Sequence, residues 1–331
     1  MHYDIKQFSE VLNTSKKILL INHIRMDGDA WWSLAALYLI LKKLGKKVEA
    51  VNDCAVPPSF NFLGQTDIIK PELDIKKFKP DLIISLDASD TGRLGKIYEN
   101  YQNIFNETPL VVIDHHISNP GFWDINIINP ESTSTCELLI QVLEDLGLLQ
   151  NVDSEIATFL YLGLQTDTNM YFNSNVNAHT LRTWAKLLEL WADFRSIITE
   201  MFQKKSYKQL KLWEVLLENL QQSHNWKISY SSLSKYEIAK LDITHSEIWT
   251  YLKWAINELL INIEWTKVAF LIYPLGIEEN KVSMRSEIWY DVAKICESFW
   301  GGWHTQAAWF QSIRIQDNIV EDLLQKIKEI L

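Results

Sequence analysis

In the first half of the chain, apolar residues come in short unbroken blocks instead of alternating with polar ones. Blocks at 17–22, 47–52, 81–87 and 110–114, with a short fifth at 124–128, read as strands. A sheet with one wet face would alternate, so unbroken blocks predict strands covered on both faces. Between the first two, 33–44 is apolar all round and predicts a buried helix. Strands alternating with helices predict a doubly wound α/β domain with a mostly parallel sheet. Ligands of such a sheet bind beyond the carboxyl ends of its strands.

From Ser132 the periodicity turns helical. Ser132-Thr-Ser-Thr-Cys-Glu137 offers N-capping hydroxyls with an acid shortly after. Helices are predicted near 135–146, 154–164, 177–190, 194–203 and 206–221. Strands return at 226–232, 266–273 and 281–285, with helices near 245–262 and 290–299. A strand at 309–315 and a helix at 318–330 close the chain. The pattern divides into a catalytic domain (1–190), a helical linker (191–223) and a smaller α/β domain (224–331).

Composition narrows the function classes. The 331 residues are 47% hydrophobic, enough for two domains with their own cores. A net charge of −10 argues against long duplex nucleic acid, whose binding needs clustered Lys and Arg. A small anion held through metal ions stays compatible. Cys54, Cys136 and Cys296 are isolated and odd in number, which reads as buried thiols in a reducing compartment. The first residues lack a basic segment followed by an apolar one, and the apolar run 34–41 is too short to span a bilayer. A cytoplasmic protein with no membrane partner is the expectation.

The chemistry lies where the apolar blocks end. His23, Asp27 and Asp29 follow the first, Asp87 closes the third, and Asp114-His115-His116 closes the fourth. Alone, a strand-end Asp is commonly a cap, and a His-His pair is commonly surface or core. Together, at the carboxyl ends of one sheet, they predict a two-metal hydrolytic site. Carboxylates suit hard divalent ions, and imidazole adds preference for Mn, Fe, Co or Zn. Two ions roughly 3.5–4 Å apart can clamp a phosphoryl group. His23, Asp27 and Asp87 are candidates for one ion. Asp29, Asp87, His115 and Asp167 are candidates for the other, with Asp87 bridging. His116 is left to face a phosphate, and Gly28 lets the first turn bend tightly.

These motifs resemble the DHH phosphoesterase family. The first is His23-Ile-Arg-Met-Asp27-Gly-Asp29-Ala-Trp31-Trp32-Ser33, and the second Leu86-Asp87-Ala-Ser-Asp90-Thr-Gly-Arg93-Leu-Gly95. The third is Asp114-His115-His116, and the fourth Gly163-Leu-Gln-Thr-Asp167-Thr. Val282-Ser-Met-Arg285-Ser286 and Gly301-Gly302-Trp303-His304 resemble the family's associated C-terminal domain, with its Arg-Ser strand and glycine-rich loop. Met26 stands where the family has Pro, and Asn169 where it has Gly. The resemblance implies Mn²⁺-dependent phosphoester hydrolysis, with two ions and Mg²⁺ or Co²⁺ as substitutes. His116, Asp87 and Arg285 become the catalytic candidates. His116, Arg285, Ser286, Gly301, Gly302 and His304 become the substrate-binding ones.

The subgroup it is most similar to cleaves short oligonucleotides to mononucleotides and dephosphorylates 3′-phosphoadenosine 5′-phosphate. The expected partners are therefore short RNA or DNA and a nucleoside bisphosphate; a homodimer is compatible. A manganese pyrophosphatase shares the first four motifs but not the Arg-Ser strand. A single-strand exonuclease should be more basic. A decayed, non-catalytic nucleotide-binding relative should have lost its ligands.

One oddity remains: 14 Trp against 11 Gly. At about 7% usage a chain of this length would carry about 23 Gly. Trp32, Trp300, Trp303 and Trp309 stand in or beside glycine positions of the motifs, and Trp191, Trp226 and Trp265 where turns or helix ends favour Gly. Trp forced to positive φ costs roughly 1–2 kcal/mol. A gene that uses UGA for Gly, translated by a code that reads UGA as Trp, would produce this pattern.

Overall fold

The computed structural model describes residues 4–331, except 57–59, 61–62, 71–72, 122, 174 and 277–278. The side chains of 201–202, 245–246, 249–250, 253 and 303–304 also lie outside the described set. The chain divides into two compact units, Met1–Gln203 and Lys204–Leu331. The segment 191–223, read as a linker, supplies its first part to one unit and its second to the other.

The first unit holds a five-stranded sheet, every neighbouring pair parallel, in the order β2-β1-β3-β4-β5. The strands are β1 (Lys17–Asn22), β2 (Lys47–Val51), β3 (Leu82–Leu86), β4 (Leu110–Asp114) and β5 (Ile125–Ile128). β3 and β4 are buried at every residue, as the unbroken apolar blocks require. The order reverses between β1 and β3, so their carboxyl ends open a crevice at the switch point.

Helices cover both faces. α1 (Ile5–Thr14), α2 (Gly28–Lys43), α6 (Thr135–Asp145), α7 (Ser154–Asp167) and α8 (Ala178–Glu189) share one core with Ile18, Leu20, Leu82 and Ile84. Short helices α3 (Ile75–Phe78), α4 (Gly95–Asn100) and α5 (Gln102–Glu107) cover the other face through Ile75, Ile97 and Phe105. α9 (Phe194–Ile198) ends the unit, followed by a π-helical turn at Thr199–Gln203.

α2 begins five residues earlier than apolar content alone predicted. Asp27 is its N-cap and accepts a hydrogen bond from Ala30 N at 3.1 Å, so Gly28 and Asp29 are already helical. Gly28 cannot be replaced without collision, since a Cβ there would lie 2.4 Å from Thr166 Oγ1.

The second unit is a six-stranded mixed sheet ordered β10-β11-β9-β8-β7-β6, in which only β7 and β8 are parallel. Its strands are β6 (Gln221–Ser223), β7 (Ile228–Ser232), β8 (Val268–Pro274), β9 (Asn280–Ser286), β10 (Gly302–His304) and β11 (Ala307–Ser312). β11 starts and ends earlier than the predicted 309–315. α13 (Val292–Glu297) and α14 (Gln316–Lys328) pack on one face. α10 (Tyr207–Glu218) and α12 (His245–Ala255), the latter continuing as a π-turn at Ile256–Leu260, pack on the other. α11 (Lys235–Lys240) is a short connector. No helix among the described residues is long and apolar enough to cross a membrane.

Four of the seven Trp residues at glycine-like positions adopt left-handed backbone: Trp191 (φ 66°), Trp226 (φ 70°), Trp265 (φ 72°) and Trp300 (φ 62°). That region suits Gly and strains a bulky residue. Trp32 differs. It is fully buried within α2 against Phe60 and Phe159, and its Nε1 finds no hydrogen-bond acceptor among the described residues. Trp309 sits in β11 with Lys281 4.5 Å from its ring, an ordinary strand environment. The side chain of Trp303 lies outside the described residues.

Candidate metal centre

Each candidate side chain leaves the end of a rigid element. β1 ends at Asn22 and delivers His23. Asn52 clamps this turn, donating Nδ2 to Asn22 Oδ1 at 2.7 Å and to His23 O at 2.9 Å. Asn22 in turn donates to Ala30 O in α2 at 2.8 Å. Asp87 follows β3 with φ 57°, an unusual conformation for a residue with a Cβ. Asp114 ends β4 and is followed by His115 and His116, while Asp167 ends α7.

These elements bring seven predicted residues together. His23 Nε2 lies 3.4 Å from Asp87 Oδ2 and 3.8 Å from Asp27 Oδ1. His115 Nε2 lies 3.3 Å from Asp167 Oδ2, 3.5 Å from Asp87 Oδ1 and 3.9 Å from Asp29 Oδ2. His116 Nδ1 is 2.7 Å from Asp114 Oδ1 and 3.6 Å from Asp87 Oδ1. Three groups result, each with its ligand atoms within 4.8 Å of one another: His23-Asp27-Asp87, Asp29-His115-Asp167 and Asp87-His115-His116. Asp87 belongs to two of them.

Residues 17–164 match the model of the DHH family, N-terminal domain. The chain carries a DHH-family domain. A curated relative is the bifunctional oligoribonuclease and PAP phosphatase NrnA of Thermus thermophilus, 30% identical over 174 residues. That match covers 52% of this chain and about half (49%) of the relative's length. The probable bifunctional oligoribonuclease and PAP phosphatase NrnA of Streptococcus mutans is 24% identical, over 95% of this chain and 94% of its own. The crystal structure of an exopolyphosphatase-related protein from Bacteroides fragilis superposes with a TM-score of 0.86 at 23% identity. It covers 98% of this chain and 95% of that one, and shows that both units share its fold.

The centre of the DHH-family domain fits divalent ions. His23 Nδ1 faces Ile24 O at 2.8 Å, which holds one ring proton on Nδ1, so that loss of the second proton leaves Nε2 bare. That Nε2 is buried and has no hydrogen-bond partner among the described residues. A bare buried imidazole nitrogen facing two carboxylates has the disposition of a metal ligand with its tautomer fixed from behind.

Electrostatics point the same way. Burial opposes the charged form of His23, yet Asp27 and Asp87 push it up to about 10. Burial also opposes ionisation of Asp87, but His23, His115 and His116 hold its carboxyl far below the usual range. Burial, then the Asp87 charge, raises Asp29 well above it. So many acids in one buried place balance by holding protons, and divalent ions can replace those protons.

Asp114 serves the DHH-family domain from behind. It is fully buried, takes His116 Nδ1 on Oδ1, and accepts a hydrogen bond from Asn119 Nδ2 on Oδ2 at 2.7 Å. Asp90 and Arg93 meet through the backbone, Arg93 N donating to Asp90 Oδ1 at 3.0 Å in a capped turn.

The remaining predicted residues belong to the second unit. Arg285, in β9, donates Nε to Asn257 Oδ1 at 2.7 Å and Nη1 to Met284 O at 2.8 Å. Burial lowers its guanidinium to about 10, still cationic at neutral pH. No carboxylate pairs with it among the described residues. Ser286 Oγ donates to Tyr290 O at 2.6 Å. Gly301 is demanded by β11, since a Cβ there would lie 2.2 Å from Trp309 O. Gly302 has φ 150° and pairs with Trp309 across the β10–β11 ladder. His304 pairs with Ala307 in that ladder, and its side chain lies outside the described residues.

Sequence reasoning missed the groups behind the carboxylates. Thr135 N and Cys136 N donate to Asp29 at 2.5 and 2.9 Å, and Thr135 Oγ1 donates to Asp87 Oδ1 at 2.9 Å. The run 132–137 signalled a helix start, but nothing in it signalled contact with residues 29 and 87. Gly163 completes this packing, since a Cβ there would lie 2.2 Å from Cys136 Sγ and 3.2 Å from Asp29 Oδ1.

Proposed function

We propose that this chain is a two-metal, Mn²⁺-dependent phosphoesterase. Its substrates are short oligonucleotides, hydrolysed to mononucleotides, and 3′-phosphoadenosine 5′-phosphate, hydrolysed to AMP. The observation that carries this reading is the Asp87 carboxylate, which faces His23 with one oxygen and His115 with the other. The substrate class follows the names of relatives matched along nearly the whole chain.

His23, Asp27 and Asp87 would hold one ion, and Asp29, Asp87, His115 and Asp167 the other. Two divalent ions there would supply Lewis-acid charge and make a water a stronger nucleophile. The side chains do the rest. Asp87 fixes the spacing between the two groups. His116, held by Asp114, offers its far edge to a phosphoryl oxygen and stabilises developing negative charge. Arg285, cationic and without a carboxylate partner among the described residues, pairs with a phosphate, with Asn257 fixing its plane. The net charge of −10 opposes long polyanions and suits short ones.

The test is hydrolysis by metal-loaded protein of a dinucleotide and of 3′-phosphoadenosine 5′-phosphate, followed by chromatography. Release of mononucleotide and AMP, abolished by chelation and by Asp87→Ala, supports the proposal. Turnover of pyrophosphate alone would overturn it in favour of a pyrophosphatase. Bound but uncleaved nucleotide would favour a non-catalytic relative.

A further inference from the structure

The buried N-terminus of α6 makes contacts that no metal ligand explains. Its N-cap is Ser134, whose Oγ accepts from Glu137 N at 3.0 Å. Glu137 does not close the usual capping box. Its Oε2 reaches one residue further back, accepting from Thr133 N at 2.6 Å and Thr133 Oγ1 at 2.7 Å. Its Oε1 faces His179 Nδ1 at 2.7 Å. The helix start is thus braced on both sides, and Thr135 is not needed as a cap.

Thr135 is fully buried, and its side chain and backbone serve two different acids. Thr135 N and Cys136 N occupy one oxygen each of Asp29, and the positive end of the helix faces that carboxylate. The Thr135 hydroxyl donates to Asp87 Oδ1, the oxygen that also faces His115 and His116. A carboxylate oxygen has two lone-pair directions. A hydroxyl fixed on one of them leaves the other to point at an ion.

We infer that Thr135 is a positioning residue for the metal centre. Its hydroxyl sets the rotation of the Asp87 carboxylate, and so the alignment of the two ion sites. This rests on the reading of Asp87 as a bridging ligand. It goes beyond that reading by making the start of α6 part of the machinery: one turn of helix holds Asp29 through backbone N–H groups and Asp87 through a hydroxyl.

Thr135→Val keeps the shape and removes the donor, and Thr135→Ser keeps the donor. Thr135→Ala removes the donor without adding a methyl beside the carboxylate, which guards against a folding defect in the Val variant. Mn²⁺ is titrated into metal-free protein and free Mn²⁺ is followed by electron paramagnetic resonance. The expected loss of affinity for Val and Ala is about 10–100-fold, with Ser close to wild type. At saturating Mn²⁺ the same two variants should lose kcat on a dinucleotide while KM holds. Folded Val and Ala variants with wild-type affinity and kcat overturn the inference. If wild type itself takes up no Mn²⁺, the reading of the metal centre fails with it; if wild type binds and Val matches it, only the role of Thr135 fails.

Discussion

His23 Nε2 lies 3.4 Å from Asp87 Oδ2, buried and without a hydrogen-bond partner among the described residues. The other Asp87 oxygen faces His115 at 3.5 Å. One carboxylate therefore addresses two imidazoles that arrive from the ends of two different strands. Asp87 can do this because its φ of 57° turns the chain sharply at the end of β3. Most consequences of the account run through this pair.

The first concerns pH. In metal-free protein His23 is raised from 6.5 to about 10, so it carries a proton at neutral pH. A metal ligand must be the neutral imidazole, so binding expels that proton. Mn²⁺ affinity should rise with pH, about tenfold per unit for one proton released, until pH approaches the raised value. Without metal the sign is opposite. The raised His23 adds stability below 6.5 and loses it as pH climbs towards 10. Calorimetric titration in buffers of different ionisation heat counts the protons. Affinity independent of pH would contradict the assignment of His23.

The second concerns Gly163. Gly163→Ala places a Cβ 2.2 Å from Cys136 Sγ, and Cys136 N holds Asp29. Overpacking of this kind costs about 1–3 kcal/mol, and here it should also weaken metal uptake by displacing the start of α6. Adding Cys136→Ala removes the colliding sulfur and should restore part of both. Thermal melts with and without Mn²⁺ read the effect. A double variant no better than the single one would show that the collision is not the cause.

A third follows from the Asp114–His116 contact at 2.7 Å. His116→Ala should lower kcat by about 100–1,000-fold, the usual cost of losing one donor to a developing oxyanion. Asp114→Asn should give a smaller loss in the same parameter, because it frees the ring without removing it. Mn²⁺ affinity should change little in either. A His116→Ala protein that loses metal instead would move His116 into the ligand set, where its 3.6 Å approach to Asp87 would put it.

The tryptophans give a fourth. Trp191, Trp226, Trp265 and Trp300 are all left-handed and largely solvent-exposed, so their rings contribute little packing in return for the strain. Returning each to Gly should relieve roughly 1–2 kcal/mol of backbone strain, less the added chain entropy of Gly. Intact mass of the protein from its natural source decides the origin. A mass below that of the printed sequence by a whole number of Trp-to-Gly differences is expected. A mass equal to it would contradict a misread UGA.

How much of this was legible beforehand depended on where the signal lay. The unbroken apolar blocks ending at Asn22, Leu86 and Asp114 gave the parallel sheet, because only strands covered on both faces need such runs. They could not give the order β2-β1-β3-β4-β5, which tertiary packing sets. Acids and imidazoles just past those blocks could be picked out because sheet topology sends strand ends to one edge. The early start of α2 was hidden by Gly28, which reads as a turn until Asp27 is seen to cap it. Thr135 was hidden more deeply: a hydroxyl 48 residues from Asp87 carries no local mark. The π-turn at Ile256–Leu260, which sets Asn257 against Arg285, has no periodicity that separates it from the helix before it.

The most direct test of the central claim is the number of Mn²⁺ ions bound per chain, by titration of metal-free protein, in wild type and in Asp87→Ala. The account predicts two ions in wild type and neither held tightly in the variant, with hydrolysis of a dinucleotide lost in parallel. An Asp87→Ala protein that keeps both ions and its activity would contradict it.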